Sequence, residues 1–165
     1  MTKIGILSDT HGHLDPKIFT HFKDVDQIWH AGDIGSLEVI DQLREFKPLQ
    51  IVHGNIDDHI IRQEAPKTLS FKVEEIKVGI IHIAGKPGKY VPDAHEFILA
   101  ERPDIFVCGH SHILLVKQDP KFKMLWINPG ACGIKGFHQV KTLIRFVIDG
   151  KTIKDMEVIE IGKRA

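Results

Sequence analysis

The sequence predicts an α/β domain with a mixed β-sheet, because strand-like and helix-like segments follow one another in two different orders. In the first half, short apolar runs alternate with helical segments, which is typical of parallel strands joined by crossover helices. From Ile105 onward the runs follow one another through short turns such as Asp149-Gly150, which favours antiparallel pairing. The same order fits two sheets packed face to face with helices outside.

Ten segments are predicted to be strands from their apolar and β-branched residues and their polar or glycine-bearing ends. They are Ile4 to Leu7, Gln27 to Ala31, Leu49 to Val52, Leu69 to Val73, Lys77 to Ile83, Asp104 to Cys108, Ile113 to Lys117, Met124 to Ile127, Lys141 to Ile148 and Lys154 to Ile161. Three helices are predicted between them, at Pro16 to Lys23, Leu37 to Phe46 and Asp93 to Glu101. Asp15 and Ser36 precede the first two helices as N-cap residues.

The composition predicts one compact domain over residues 1–165, since 42% of the residues are hydrophobic and 27% are charged. Lys and Arg together number 22, as do Asp and Glu, so the chain lacks the positive field expected of a protein that binds large nucleic acids or anionic membranes. No apolar run has the length of a signal peptide or membrane span, so we expect a cytoplasmic protein. The cysteines, Cys108 and Cys132, form no CxxC pair, which argues against a disulfide framework and a thiolate zinc site.

The chain contains 11 histidines, and several of them stand with carboxylates near the ends of predicted strands. The residues with metal-binding side chains at five such ends are Asp9, His11, Asp33, Asn55, His82, His110 and His112. Because ligands of α/β sheets bind outside the carboxyl ends of strands, we expect these five segments to converge on one site. Imidazole and carboxylate ligands suit Mn²⁺, Fe, Ni²⁺ or Zn²⁺.

Each of these segments has an ordinary structural explanation when it is taken alone. An Asp-x-His or Gly-Asp sequence is common in surface turns, and Asn55 after a glycine is typical of a left-handed turn. His82 lies in an apolar run, where a hydrogen-bonded core histidine is expected. The paired histidines of Gly109-His110-Ser111-His112 are harder to explain by packing. It is the combination of all five segments, in this order, that favours a metal site.

The order Asp-x-His, Gly-Asp, Gly-Asn, His and Gly-His-x-His resembles that of the calcineurin-like metallophosphoesterases. The short chain is similar to the compact YfcE-type phosphodiesterase branch of that superfamily. The resemblance runs from Ile4 to about Gly133 and includes Asn128-Pro129-Gly130, which is similar to the closing loop of the family. It implies a four-layer αββα sandwich with two mixed sheets and two divalent metal ions, of which Mn²⁺ is the expected one.

The resemblance also implies a role for each residue of the pattern. One ion would be held by Asp9, His11 and His112, the other by Asn55, His82 and His110, and Asp33 would bridge them. The implied reaction is attack of a metal-bridging hydroxide on a small phosphodiester, with Asp33 and Asn55 in the catalytic centre. No nucleophilic serine or cysteine is required.

One position departs from the family pattern. Many relatives carry a histidine directly after the Gly-Asn pair, where this chain has Ile56. Because isoleucine donates no proton to a leaving group, we expect slower turnover, a preference for good leaving groups, or a substitute acid. The nearest substitutes in the sequence are His59, Asp57 and His13.

Three functions fit the pattern. A metal-dependent phosphodiesterase is favoured, and the motif does not separate it from a phosphomonoesterase with the same metals. A non-enzymatic scaffold, like the retromer subunit of this fold, is the third, but all seven ligand positions are intact here. The expected partner is a small phosphodiester, with no large nucleic acid and no membrane, and a homodimer is slightly favoured over a monomer.

Overall fold

The computed structural model describes all 165 residues and contains two five-stranded sheets, a small hairpin and four helices. The elements are β1 (Thr2–Leu7), α1 (Lys17–His21), β2 (Gln27–His30), α2 (Leu37–Phe46), β3 (Leu49–Ile51), α3 (His59–Glu64), β4 (Thr68–Val73), β5 (Ile76–Ile81), β6 (Gly85–Lys86), β7 (Lys89–Tyr90), α4 (Pro92–Glu101), β8 (Ile105–Val107), β9 (Leu115–Asp119), β10 (Met124–Asn128), β11 (Val140–Asp149) and β12 (Thr152–Lys163). None of the helices has the length and apolar character needed to span a bilayer.

Both large sheets are mixed. The first has the order β12-β11-β1-β2-β3, in which β1, β2 and β3 are parallel, β11 is antiparallel to β1, and the edge strand β12 is antiparallel to β11. The second has the order β4-β5-β8-β10-β9, with β5, β8 and β10 parallel and an antiparallel strand at each edge. The expectation of antiparallel pairing after Ile105 is confirmed for β9–β10 and β11–β12, but it is wrong for β8 and β10, which pair in parallel. The chain reverses direction between β8 and β9 and again between β9 and β10. Because β9 lies at the outer edge of the sheet, β10 lies between β9 and β8 and runs parallel to β8.

Three hydrophobic cores lie between four layers, which confirms the αββα sandwich. Helices α1 to α3 cover the outer face of the first sheet, where Leu43 of α2 is fully buried. The inner faces of the two sheets enclose a second core that contains Trp29 and Ile105. Helix α4 covers the outer face of the second sheet, with Ile98 packed in the same cluster as Phe106. The neighbours Ile105 and Phe106 thus point to opposite faces of one strand, as the period of two requires.

The sequence patterns predict neither α3 nor the β6–β7 hairpin. Helix α3 has only six residues, too few for a helical apolar period, although the side chain of Asp58 caps it by accepting from the amides of Ile60 and Ile61 at 3.1 and 3.0 Å. The hairpin strands have two residues each and are joined by Pro87-Gly88, where Gly88 has a φ of 86°. Helix α2 has the predicted bounds, and the other two predicted helices differ at their ends.

Candidate metal centre

The loops that follow β1, β2, β3, β5 and β8 meet at one edge of the sandwich. They bring six of the predicted ligands into two groups, in each of which the possible ligand atoms all lie within 4.8 Å of one another. One group is Asp9, His11 and His112, and the other is Asp33, His82 and His110. Asn55 adjoins the second group, with its Oδ1 3.0 Å from Nδ1 of His110. The first group has the same members as the resemblance implies, and the second differs in that Asp33 belongs to it and Asn55 lies beside it.

Asp33 lies between the two groups. Its Oδ2 is 3.4 Å from Nε2 of His11, and its Oδ1 is 3.3 Å from Nε2 of His82. The Ile56 amide donates a hydrogen bond of 3.1 Å to Oδ1, which fixes the orientation of the carboxylate. One oxygen therefore faces His11 and the other faces His82, an arrangement compatible with a bridging ligand.

Three buried polar atoms of the site have no hydrogen-bond partner: Asp9 Oδ1, His11 Nε2 and His82 Nε2. Leaving such atoms unpaired costs free energy, so a cluster of them indicates a ligand. Ligand atoms bound to one ion at about 2.1 Å are separated by about 3.0 to 3.4 Å. The separation between Asp9 Oδ1 and His112 Nε2 is 3.1 Å, and those around Asp33 are similar. The residues therefore fit divalent metal ions.

Hydrogen bonds outside the centre orient two of the imidazoles. His82 Nδ1 lies 2.7 Å from the Ala31 carbonyl and donates to it, so the lone pair is on Nε2. His138 Nε2 lies 2.8 Å from the Gly133 carbonyl, and its Nδ1 lies 3.2 Å from Nδ1 of His112. Because a carbonyl only accepts, the proton of His138 is on Nε2, and its Nδ1 accepts from His112. This assignment leaves Nε2 of His112 with a lone pair directed at the site.

The backbone of the ligand loops is held in an unusual conformation. Five of the seven candidate ligands have positive φ, namely Asp9 (56°), His11 (47°), Asp33 (56°), His110 (71°) and His112 (62°). Non-glycine residues adopt this region rarely and at a cost of about 1 kcal/mol or more, and such residues concentrate at functional sites. Gly54 allows the close approach of two loops, since a Cβ there would lie 2.1 Å from Asp33 Oδ1.

Two side chains tie these loops together. The Asn128 amide donates bonds of 3.0 Å to the Gly109 carbonyl and to Ser111 Oγ, which holds the loop that carries His110 and His112. The Asn-Pro-Gly segment therefore supports the site, although Asn128 itself is not in either ligand group.

The Asp57 carboxylate accepts three backbone hydrogen bonds, from the amides of Ile34, Gly35 and Gly54 at 3.1, 2.9 and 2.8 Å. It joins the loop of Asp33 to that of Asn55. These hydrogen bonds argue against Asp57 as a substitute acid, because both of its oxygens accept from backbone amides in the folded protein. His59 is exposed at the start of α3, and His13 is half-buried; neither belongs to a ligand group.

The charges of the site are complementary. Burial alone would raise the pKa of Asp9 and Asp33, but the contacts with His11 and the other imidazoles outweigh it and hold both pKa values below their ordinary range. The contacts with Asp33 and Asp9 raise the pKa of His11 to about 9. Burial lowers the pKa of His30, beneath the site, to about 4, so this ring is neutral at pH 7.

The site also includes residues that the sequence patterns do not identify. His138 follows no predicted strand and contacts His112 only because the loop before β11 returns to the site. A cleft of about 440 Å³ opens beside Asn55 and His82 and is lined by Arg62 and His53 among others. Arg62 lies on α3, which the sequence patterns do not predict. It does not follow a strand, so its position near the site cannot be predicted from strand ends.

The sequence matches the calcineurin-like phosphoesterase superfamily domain over residues 2–151. The chain belongs to this family, and its predicted resemblance is confirmed. It is 29% identical over 164 residues to a protein named probable metallophosphoesterase from Methanothermobacter thermautotrophicus, which covers 96% of this chain and 92% of that protein.

Solved structures share the fold along the whole chain. A structure described as that of a novel archaeal phosphodiesterase is 27% identical, with a TM-score of 0.73, and the match covers 96% of this chain and 99% of that one. Vps29 from Chaetomium thermophilum is 16% identical, with a TM-score of 0.75 and coverage of 99% and 100%. At that identity, the likeness to Vps29 shows the fold alone.

Proposed function

We propose that this metallophosphoesterase is a phosphodiesterase that requires two divalent ions, with Mn²⁺ the expected ion and Fe, Ni²⁺ or Zn²⁺ the alternatives. The observation that carries the proposal is the position of Asp33, which directs one carboxylate oxygen at His11 and the other at His82. The likeness to the archaeal phosphodiesterase supports a diester rather than a monoester as substrate.

The chain would contribute ligands and their orientation. One ion would be held by Asp9, His11 and His112, the second by Asn55, His82 and His110, and Asp33 would contact both. Such ions would activate water and stabilise negative charge on the phosphoryl oxygens. The Ala31 carbonyl and His138 hold two of the imidazoles with Nε2 toward the site, so little rearrangement is needed on binding.

The protein offers no cysteine nucleophile at this site. Cys108 and Cys132 are fully buried, and burial raises the pKa of both thiols, that of Cys132 to about 12. A thiol with such a pKa is almost entirely protonated at pH 7, and the thiolate is the nucleophilic form. This supports direct attack by water on phosphorus.

The side chain beside Asn55 supports a preference for good leaving groups. Ile56 is 46% exposed at the mouth of the site, and its amide contacts Asp33. A histidine at this position would be able to protonate a departing alkoxide, whereas isoleucine has no proton to give. Nitrophenyl esters are therefore suitable first substrates, because their leaving group, nitrophenolate, departs without protonation.

The test is hydrolysis of bis(p-nitrophenyl) phosphate by metal-stripped protein before and after addition of Mn²⁺, with p-nitrophenyl phosphate measured in parallel. We expect activity only with metal, a preference for the diester, and loss of activity in Asp33→Asn. Asp24→Asn, which removes an exposed carboxylate outside the ligand groups, is the matched control. Faster hydrolysis of the monoester would indicate a phosphomonoesterase. Metal binding by calorimetry without hydrolysis of either ester would indicate a non-enzymatic role.

A further inference from the structure

The cleft beside the candidate metal centre has the character of a binding site for an organic group. Its volume of about 440 Å³ is in the range of small-molecule sites, and Asn55 and His82 form the end that adjoins the metal centre. Val91 and Pro92 contribute apolar surface, and Arg62 contributes a guanidinium group. A group esterified to a phosphate at the metal centre would therefore extend into this cleft.

Arg62 is the unpaired cation of the cleft. Its Nε donates a hydrogen bond of 2.7 Å to the Asp57 carbonyl, and its guanidinium forms no ion pair, so both Nη groups are available. The other cationic side chain of the cleft, Lys67, is paired with Asp93. The cleft thus presents one net positive charge.

The position of Arg62 is coupled to that of the metal centre. The residue whose carbonyl holds Arg62 is Asp57, and the carboxylate of the same residue binds the amides of Ile34 and Gly54. These amides belong to the loops that carry Asp33 and Asn55. A guanidinium group fixed in this way offers two parallel N–H donors, which match the spacing of phosphate oxygens.

We infer that Arg62 binds a second phosphate group on the substrate, carried by the organic group that lies in the cleft. This inference rests on the proposed function, because it places the scissile diester at Asp33 and Asn55. It names the substrate class as a diester that bears an additional phosphate, and it makes Arg62 a specificity-determining residue.

The test compares two substrates that differ only in that phosphate: thymidine 5′-(p-nitrophenyl phosphate) and the same compound with a 3′-phosphate. With Mn²⁺-loaded protein, we expect the second compound to have a KM at least about tenfold lower, the scale of a charge-assisted hydrogen bond. Arg62→Ala should remove this preference, and Arg62→Lys should retain part of it because the charge remains. Arg102→Ala, at the exposed end of α4 and outside the cleft, should leave the preference intact.

Calorimetry with thymidine 3′,5′-bisphosphate and thymidine 5′-phosphate gives a reading that does not depend on catalysis. We expect the wild type to bind the bisphosphate at least about tenfold more tightly than the monophosphate. Arg62→Ala should bind the two compounds with equal affinity. Equal KM values for both substrates in the wild type, or a preference that persists in Arg62→Ala, would overturn the inference. Hydrolysis of neither compound would count against the proposed function, while the calorimetric comparison would still decide the role of Arg62.

Discussion

Two buried groups of charged side chains in this protein are satisfied in opposite ways. Between α1 and β11, Lys141 Nζ lies 2.7 Å from Asp15 Oδ2, and the other oxygen of that carboxylate accepts from a backbone amide at 2.9 Å. At the candidate metal centre, Asp9 Oδ1 and two imidazole nitrogens are buried without any hydrogen-bond partner. The ligands there also concentrate residues with positive φ, whereas neither member of the Asp15–Lys141 pair has one.

The two groups have different roles in the protein. A charge pair whose hydrogen bonds are complete stabilises the fold, and removing either partner leaves the other buried and unpaired. A group of strained residues with free ligand atoms opposes folding on its own and gains from a bound cation, which stabilises the folded state by mass action. Four substitutions test this division, and they follow in order of decreasing expected effect.

Asp33→Asn is expected to lower the metal-dependent diesterase activity by at least about a thousandfold, or about 4 kcal/mol, because it removes the carboxylate charge shared by the two groups. We also expect Mn²⁺ to raise the Tm of the wild type and to leave that of Asp33→Asn unchanged. The measurements are nitrophenol release and thermal unfolding, each with and without Mn²⁺. Retention of both effects within a factor of ten, with Asp24→Asn behaving as the wild type, would contradict the bridging role of Asp33.

His138→Leu is expected to lower the affinity for the ion proposed at Asp9, His11 and His112 by about 10- to 100-fold. The reason is that His112 loses the acceptor that fixes its proton on Nδ1. The ion beside Asn55 and His110 should be affected much less. Titration calorimetry with Mn²⁺ separates the two binding events. His21→Leu, in α1 and outside both ligand groups, is the control. Equal weakening of both events would show that His138 acts on the whole site and not through His112.

Asp15→Asn is expected to destabilise the protein by about 2 kcal/mol at pH 7, because it leaves Lys141 buried without its partner. Burial alone would raise the pKa of Asp15, but the hydrogen bond and charge of Lys141 outweigh it and hold the pKa below its ordinary value of 3.8. The stabilisation is therefore complete above pH 3.8 and is lost as the pH falls below that value toward the lower pKa of the folded state.

Urea unfolding of the wild type and Asp15→Asn from pH 7 to pH 3 measures this effect. The difference in unfolding free energy should be constant near neutral pH and should shrink below about pH 4. Thr20→Ala, an exposed change in α1, the helix that follows Asp15, should show no such pH dependence. A difference between the wild type and Asp15→Asn that grows at acid pH would show the wrong sign and refute the role of the pair.

Ile56→His is expected to have the smallest effect. The rate of hydrolysis of 2′,3′-cyclic AMP, whose leaving group is an alkoxide, should rise by about fivefold to tenfold. The gain should be absent with bis(p-nitrophenyl) phosphate, because nitrophenolate leaves without a proton. Ile60→His, on the exposed face of α3 and 45% exposed, is the matched control. An equal increase in rate with both substrates would show that the substitution acts on substrate binding and not on protonation of the leaving group.

Much of the site could be predicted because its ligands directly follow strands. Apolar runs of four to six residues identify β1, β2 and β5, and the polar residue after each run lies at the carboxyl edge of its sheet. Asp33 is found in this way without any knowledge of distant contacts. His112 is found similarly, since it follows β8 by only a short loop.

The residues that support the ligands could not be predicted in the same way. His138 lies 26 residues from His112, and Asp57 lies 23 residues from the Ile34 amide that it binds. No local period connects such pairs. The position of Asp57 beside Ile56 favours an acid, and only its three amide donors show that it holds two loops together.

The α/β class, the strands of the two large sheets and the candidate ligands follow from the sequence alone, because hydrophobic period and strand-end position are local properties. The parallel pairing of β10 with β8, the two candidate ligand groups around Asp33 and the cleft that exposes Arg62 are set by the tertiary structure. These features depend on which loops approach one another when the two sheets pack. That approach is set by the three cores as a whole, and no single segment of the sequence specifies it.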